Sequence, residues 1–187
     1  RSDAYVKNSY ENAWSATNYE WYQAITDKNL SNPRKEGDII ITGSGLLVLS
    51  AHMQMFSHIF DQLHCDSVLD VGSGRGNNII ALASLRPNRE YYGVELTKNG
   101  YERSLEWERD LKEQKMLLVD IGEDISKIDF QKIHFFHSSA TKLPLPDKSV
   151  DVSFTNFVLE QMPYDYKEAL SEIRRVTRKY AVFMESF

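Results

Sequence analysis

The chain has 187 residues, of which 42% are hydrophobic and 26% are charged, and its net charge is −5. This length is enough for one α/β domain with a sizeable core, and the composition is ordinary for a globular protein. The acidic balance disfavours a nucleic-acid backbone as the main partner. No stretch approaches 18 consecutive apolar residues, so we expect no membrane span. The single cysteine, Cys65, is compatible with a reducing cytoplasm.

The first 36 residues are polar and rich in aromatic side chains, which are Tyr5, Tyr10, Trp14, Tyr19, Trp21 and Tyr22. The near-helical spacing of Trp14, Trp21 and their neighbours predicts one or two short helices, which end before Asn32-Pro33 and Gly37. Two compatible interpretations stay open for residues 1–45. The segment is an extension that packs its rings on the main domain of residues 46–187, or a lid that closes over a bound ligand.

A long helix is predicted after the loop Thr42-Gly43-Ser44-Gly45. Apolar residues recur there at steps of three and four, the pattern of a helix with one face against a core. These residues are Leu46, Leu49, Met53, Phe56, Phe60 and Leu63. His52 and His58 flank them, and we expect both to be surface or packing residues. No Cys/His cluster has the spacing of a metal site, so we predict no metal.

The most informative segment is Asp70-Val71-Gly72-Ser73-Gly74-Arg75-Gly76. The run before it, Ser67–Leu69, predicts a strand, and the run after it, Asn77–Ala83, predicts a helix. A glycine-rich turn between them lets the backbone approach a bound nucleotide, because glycine has no Cβ and tolerates positive φ. A pyrophosphate-binding dinucleotide site would need its third glycine at position 77, where this chain has Asn77. The spacing therefore disfavours an NAD-dependent oxidoreductase.

The run Glu90–Leu96 predicts a second strand, and the acid Glu95 lies at its end. Glu95 lies 19 residues after Gly76, a separation at which a carboxylate can accept hydrogen bonds from a ribose diol. Taken alone, Glu95 also fits a solvated acid at a strand end. Thr97 is predicted to cap a helix that runs to Leu111.

The rest of the chain continues the alternation of helices and strands. The predicted elements are a helical turn at Ile121–Ile128 within the connection 117–132, strands at Ile133–Phe136, from Val152 and at Tyr180–Met184, and a helix from Asp165 with Ala169, Leu170, Ile173 and Val176 inward. This order predicts an α/β fold with an open, mostly parallel twisted sheet and helices on both faces.

Three segments resemble one family. Asp70–Gly76 resembles D-x-G-x-G-x-G, the first motif of class I S-adenosylmethionine (SAM) dependent methyltransferases. Ser138–Asp151 resembles the A-x-x-L-P-(L/F)-x-D-x-S-(F/V)-D signature of small-molecule methyltransferases of the ubiquinone/menaquinone-biosynthesis type. Val152–Met162 is similar to their fourth strand and the start of the following helix. The resemblance, which covers roughly residues 45–187, implies a Rossmann-like fold and methyl transfer from SAM to a small organic acceptor at O, N or C, with S-adenosylhomocysteine as the product.

The resemblance also implies which residues bind the donor. The glycine loop would lie against the methionine part of SAM, with Asp70 holding the loop or reaching the amino group through water. Glu95 would bind the ribose hydroxyls, and Leu96 would pack on the adenine. Ser139 stands where the family more often has Asp, so it can hydrogen-bond the adenine edge but brings no charge. The implied set is Asp70, Gly72, Ser73, Gly74, Gly76, Glu95, Leu96, Ser139, Ala140, Thr155 and Asn156, the last two offering backbone carbonyls to the SAM amino group.

The chain departs from the family pattern at its end. The family sheet has two further antiparallel strands after the fifth, whereas this sequence stops at Phe187. We expect these C-terminal strands to be missing, or another chain to finish the sheet, and a homo-oligomer through the exposed edge is one such arrangement. The segment after the fifth strand commonly carries acceptor-pocket residues in the family, so the activity of this stretch of chain stays open.

The catalytic residue stays unknown. Methyl transfer from a sulfonium is an in-line displacement, which needs a general base only when the acceptor is protonated. Glu160, His134, His137 and the N-terminal tyrosines are conceivable bases, but none has a diagnostic spacing. The alternative function is a regulatory or interaction subunit that binds SAM and performs no chemistry. In either case we expect a cytoplasmic protein without a membrane or nucleic-acid partner.

Overall fold

The computed structural model describes residues 3–26, 34–36, 39–41, 45–112, 125–162 and 164–186. Its helices are α1 (Asp3–Ala13), α2 (Asn18–Thr26), α3 (Gly45–Gln62), α4 (Asn77–Leu85), α5 (Lys98–Leu105), α6 (Trp107–Lys112) and α7 (Tyr166–Val176). Its strands are β1 (Arg34–Glu36), β2 (Ile39–Ile41), β3 (Ser67–Val71), β4 (Glu90–Glu95), β5 (Ile133–His137), β6 (Val150–Asn156) and β7 (Thr177–Met184). The predictions for Asn32-Pro33, Gly37, residues 42–44 and residues 117–124 lie outside the described residues.

Five strands form one sheet in the order β5-β4-β3-β6-β7, and all neighbouring pairs in it are parallel. The chain places β3, β4 and β5 toward one edge and then returns to place β6 and β7 on the other side of β3. The carboxyl ends of β3 and β6 therefore flank the point where the strand order reverses, which is where open parallel sheets bind ligands. This architecture confirms the predicted α/β fold. The antiparallel pair β1–β2 was not predicted.

Helices cover both faces of the sheet, because successive residues of a strand point to opposite faces. On one face, α3 buries Phe56 and Phe60 against Phe154 of β6, with ring centroids 4.8 and 5.5 Å from that of Phe154. On the other face, Ile173 of α7 is buried in a cluster with Leu69 of β3. The strands that carry the site are thus fixed from both sides.

The helix predicted from Thr97 to Leu111 is interrupted, which corrects that prediction. The side-chain oxygen of Thr97 does cap α5, accepting a hydrogen bond from Gly100 N at 3.3 Å. However, the chain tightens at Glu106, whose N–H donates to Arg103 O at 3.2 Å. This turn directs Trp107 into the interior, where its Nε1 donates to Arg75 O at 2.6 Å. A buried hydrogen bond thus favours two short helices over one long helix.

Two other boundaries differ from the prediction. The residues after β6 form a short 3-10 turn, Leu159–Gln161, rather than the start of a helix. Strand β7 begins at Thr177, three residues before the predicted start. The Thr177 hydroxyl donates to Ile173 O at 2.5 Å and lies 2.6 Å from Ser153 Oγ of β6, so it anchors the helix end and the strand start together.

Helices α1 and α2 lie in the N-terminal segment and contact the sheet domain. Thr17 and Glu20 form a capping box for α2, since Glu20 Oε2 accepts from Thr17 N at 2.8 Å and Thr17 Oγ1 accepts from Glu20 N at 3.2 Å. Glu11 accepts hydrogen bonds from Lys98 N and Asn99 N at the start of α5, both at 3.0 Å. In the described part of the chain, none of the helices combines the length and apolar character needed to cross a membrane.

Candidate donor-binding site

A cavity of about 520 Å³ opens at the carboxyl ends of β3, β4 and β6, within the size range of small-molecule sites. Eight of the predicted donor-binding residues line it: Gly72, Ser73, Gly74, Glu95, Leu96, Ser139, Ala140 and Asn156. Lys7 and Tyr10 of helix α1 and Trp14, which directly follows α1, line the same cavity. The fold thus gathers residues that are distant in the sequence around one space.

The glycine loop is held against β4 by its own backbone. The N–H groups of Gly72 and Ser73 both donate to Val94 O, at 2.8 and 3.0 Å. Gly72 has a φ of +80°, and a Cβ at this position would lie 2.6 Å from Val158 Cγ2. Only glycine therefore allows the segment after β6 to approach the loop this closely.

Glu95 is the charged centre of the site. One oxygen of its buried carboxylate, Oε2, accepts from Gly74 N at 2.9 Å, and the other, Oε1, accepts from Thr97 N at 2.8 Å and from the Thr97 hydroxyl at 2.5 Å. Because each carboxylate oxygen has two lone pairs, these bonds leave acceptor capacity on Oε2. The carboxylate thus braces the glycine loop while lining the cavity, a double role that spacing alone did not reveal.

Leu96, Ser139 and Ala140 form the wall at the ends of β4 and β5. Leu96 is 38% exposed, so an apolar surface faces the opening. The Ser139 hydroxyl lies 2.8 Å from Thr141 Oγ1 and accepts from Thr141 N at 3.1 Å. The loop is anchored farther on, where Arg175 Nη2 of α7 donates to Leu143 O at 2.9 Å.

The segment after β6 forms the opposite wall. Thr155 does not line the cavity, because its hydroxyl donates to Glu185 Oε1 at 2.6 Å behind the wall. Glu185 also accepts from Val158 N at 3.3 Å and Glu160 N at 3.2 Å. Sequence reasoning missed Glu185, which follows β7 and fixes this turn from a position 25 or more residues away.

Asp70 and Gly76 also lie outside the cavity lining. Asp70 is completely buried behind the loop, where its Oδ2 accepts from Asn78 Nδ2 at 3.1 Å. Burial raises the pKa of Asp70 from its ordinary 3.8 to about 7. This placement favours the predicted loop-holding role. A Cβ on Gly76 would lie 2.7 Å from Phe135 Cζ, so this glycine permits packing against β5.

The conceivable bases are differently placed. Glu160 accepts hydrogen bonds from Ser186 and from Gln161 Nε2, and the bond from the Ser186 hydroxyl lowers the pKa of Glu160.

The two histidines bond to other groups. His137 Nε2 lies 3.0 Å from Leu96 O, and His134 Nε2 lies 3.1 Å from Glu90 Oε2. None of Glu160, His137 and His134 lines the cavity, whereas Tyr10 does.

The residues present fit a donor with an amino-acid end and a ribose. Ser73 Oγ, Asn77 Oδ1 and Asn156 Oδ1 belong to cavity-lining residues, are buried, and have no hydrogen-bond partner among the described residues. Buried oxygens without partners are costly unless a ligand supplies the missing donors, and an ammonium group has three N–H donors. Among the described residues, no group of three or more His, Cys, Asp or Glu side chains could hold a metal ion.

Comparison with known proteins identifies the family. A family model described as a methyltransferase domain matches residues 69–184, which is more than half of the chain. The chain therefore belongs to the methyltransferase domain family, and the resemblance seen in its motifs is confirmed.

Two curated relatives and one solved structure illustrate the similarity. The demethylmenaquinone methyltransferase of Anoxybacillus flavithermus is 30% identical over 112 residues, which cover 59% of this chain and 39% of the relative. The enzyme of the same name from Geobacillus kaustophilus is 32% identical over 111 residues, or 59% and 40% of the two chains. The chain thus spans about two-fifths of the length of these relatives. A SAM-dependent methyltransferase structure from Aquifex aeolicus, 18% identical, superposes with a TM-score of 0.50 over 73% of this chain and 72% of that one.

Proposed function

We propose that the protein transfers a methyl group from SAM to a small organic acceptor. The observation that carries this proposal is the cavity at the strand-order reversal, where the Glu95 carboxylate and the unpartnered oxygens of Ser73, Asn77 and Asn156 lie beside the glycine loop. The membership in the methyltransferase domain family supports the same function.

Each wall of the cavity has a role in this proposal. The glycine loop holds the methionine part of the donor, and the Asn77 and Asn156 oxygens accept from its ammonium group. Glu95 accepts from the ribose hydroxyls, and Leu96 with Ser139 and Ala140 holds the adenine. Thr155 and Gly76 act from behind the lining by fixing the walls, as Asp70 does for the loop.

The bound donor supplies a methyl group already activated on a sulfonium, so the protein chiefly aligns the acceptor and excludes water. We propose that α1 is the lid for this purpose. Its Lys7 and Tyr10, together with Trp14 directly after it, line the cavity, and an aromatic ring provides a favourable face for a cation.

Calorimetric titration with SAM, S-adenosylhomocysteine and NAD tests the donor. Binding of the first two without NAD supports the proposal, and binding of NAD alone contradicts it. A radiolabelled-methyl assay over metabolite pools then tests transfer, using a protein that also carries any sequence continuing beyond this chain. Donor binding without transfer to any pool would favour the alternative, a non-catalytic SAM-binding subunit.

The acceptor class also belongs to this proposal. The relatives named demethylmenaquinone methyltransferase favour a small aromatic or quinone-type acceptor. The mainly apolar residues Phe157, Val158 and Met162 on the β6 side of the cavity suit such a ring. Incubation with a demethylated naphthoquinone and labelled SAM tests this choice, and label recovered only in polar metabolites would contradict it.

We further propose a cytoplasmic location and self-association. The free, buried thiol of Cys65 fits a reducing compartment. Strand β7 lies at an edge of the described sheet with Tyr180 and Phe183 exposed, and an edge strand of this kind can pair with a second copy. Analytical ultracentrifugation of the wild type and of Phe183→Lys tests the self-association. A wild-type monomer at high concentration contradicts it.

A further inference from the structure

Arg75 is the large side chain of the glycine loop, and only 1% of it is exposed. Its guanidinium carbon lies 5.4 Å from the ring centroid of Trp14 and 5.3 Å from that of Trp21. Its Nη1 donates to the carbonyl oxygen of Thr17 at 3.2 Å. All three contacts are with the segment that carries α1 and α2. A cation between two aromatic faces is attracted by both.

The backbone of Arg75, in contrast, belongs to the sheet domain. Its carbonyl accepts from Trp107 Nε1 at 2.6 Å. The side-chain Nε and Nη2 have no hydrogen-bond partner among the described residues. Burial lowers the pKa of Arg75 to about 10, so the group stays charged at neutral pH. The guanidinium is thus stabilised by the two rings, by the Thr17 carbonyl and by the nearby charge of Glu106.

Arg75 and Trp14 both line the cavity. A Cβ on Gly74 would lie 2.9 Å from Trp14 Cζ2, so the indole rests directly on the backbone of the glycine loop. The ring of Tyr10 stacks on the same indole, with the two ring centroids 6.0 Å apart, and both residues line the cavity. Trp21 does not line the cavity and packs on the hydrophobic core instead. Trp21 can therefore affect a bound ligand through its contact with Arg75, which also contacts Trp14.

We propose that Arg75 latches α1 over the cavity, through Trp14 and Trp21, and thereby sets how long the methyl donor stays bound. The inference rests on the proposed function, since SAM is the ligand concerned. Displacing α1 separates the guanidinium from at least one ring, so an intact latch slows opening. Trp21 is a positioning residue in this view, whereas Arg75 and Trp14 line the cavity themselves. The latch acts on release more than on capture, because capture occurs when α1 is already displaced.

The test measures binding kinetics of S-adenosylhomocysteine on the full chain by stopped-flow fluorescence, together with the melting temperature. Arg75→Met removes the charge and keeps an unbranched apolar stem, and replacing a buried charge in this way need not lower stability. Trp21→Leu removes a ring that is not in contact with the ligand cavity. Tyr19→Ala, an exposed aromatic of the same helix α2, is the matched control.

We expect Arg75→Met and Trp21→Leu each to raise the dissociation rate about tenfold, with the association rate changed by less than about threefold. Tyr19→Ala should behave as the wild type. A wild-type dissociation rate in either folded variant overturns the latch, as does a loss of affinity that lies in the association rate. Trp21→Leu decides the matter if Arg75→Met does not fold. A wild-type protein that binds no S-adenosylhomocysteine would instead contradict the proposed function itself.

Discussion

At the scale of single residues, Glu95 has two sets of partners that experiment can separate. Its carboxylate braces Gly74 N and Thr97 within the protein, and in the proposed function it also binds the ribose. Glu95→Gln should weaken binding of S-adenosylhomocysteine by roughly 1–3 kcal/mol, because a charged acceptor is replaced by an amide that cannot accept on both sides. Isothermal titration calorimetry measures this loss.

Thr97→Val is the control for the bracing role. It removes the hydroxyl that bonds Glu95 and caps α5, yet it keeps the carboxylate charge. We expect it to cost about 1 kcal/mol of stability, the usual cost of a lost cap, with a smaller loss of affinity than Glu95→Gln. Equal losses of affinity in the two variants would mean that Glu95 serves the loop and does not bind the ribose.

Asp70 makes stability depend on pH with an unusual sign. Burial raises its pKa in the folded protein from 3.8 to about 7, so between these values the folded state binds more protons than the unfolded state. Stability contributed by this group therefore falls as the pH rises from about 4 to about 7. Asp70→Asn removes the ionisation, so its stability relative to the wild type should improve by about 1 kcal/mol or more between about pH 5 and about pH 8.

Urea unfolding at the two pH values measures this trend. Asp66→Asn, the same substitution at an exposed position just before β3, is the matched control. A difference between Asp70→Asn and the wild type that is equal at the two pH values would show that the Asp70 carboxyl does not keep its proton in the folded protein.

At the scale of elements, α7 fixes a loop that lines the cavity. Arg175 donates to Leu143 O, Leu145 O and Asp147 Oδ1, at 2.9, 2.8 and 2.9 Å, and pairs with Glu172. Arg175→Lys cannot make these planar, multiple contacts. We expect it to cost about 1–3 kcal/mol of stability and to raise hydrogen exchange in residues 138–147, with weaker donor binding as a consequence.

Arg174→Lys is the control for this prediction, because Arg174 is the exposed neighbour on the same helical turn. Hydrogen-exchange mass spectrometry and thermal melting of the two variants give the comparison. Equal exchange in the loop of both variants would show that Arg175 does not hold it.

The elements that depend on local patterns were predictable from the sequence. The glycine spacing at Gly72–Gly76 and the apolar runs beside it define the β3–α4 turn, and Thr97 marks the start of α5. The interruption at Glu106 was not predictable, because it follows from the hydrogen bond between Trp107 and Arg75, which lie 32 residues apart. Local propensity is a weak guide where a distant partner decides the conformation.

The same distinction holds for the site. The proposed contacts of Glu95 and Ser139 with the donor were inferred by resemblance and stay predictions. The supporting contacts of Glu185 and Arg75 could not be read from the sequence. Glu185 acts on residues 25–30 positions away, and Arg75 contacts rings of a segment more than 50 positions before it. A single sequence contains no signal for such pairs, which appear only when the topology brings them together.

At the scale of the whole molecule, the N-terminal helices and the sheet domain are joined by hydrogen bonds at both ends of α5. Glu11 accepts from Lys98 N and Asn99 N at its start, and Asn18 Nδ2 donates to Arg103 O near its end, at 3.0 Å. A carboxylate at a helix N-terminus satisfies free N–H groups and interacts favourably with the helix dipole. Glu11 therefore stabilises both α5 and the position of α1.

Glu11→Ala should cost about 1 kcal/mol of stability and release α1 from the cavity. We expect faster limited proteolysis within residues 3–26 and weaker binding of S-adenosylhomocysteine, because Lys7 and Tyr10 of α1 and the adjoining Trp14 line the cavity. Glu102→Ala is the control, since Glu102 is an acid on α5 itself that pairs with Lys98. It changes the charge of α5 and leaves the contacts of Glu11 in place. Proteolysis of Glu11→Ala at the rate of the Glu102 variant would show that α1 is held independently of this cap.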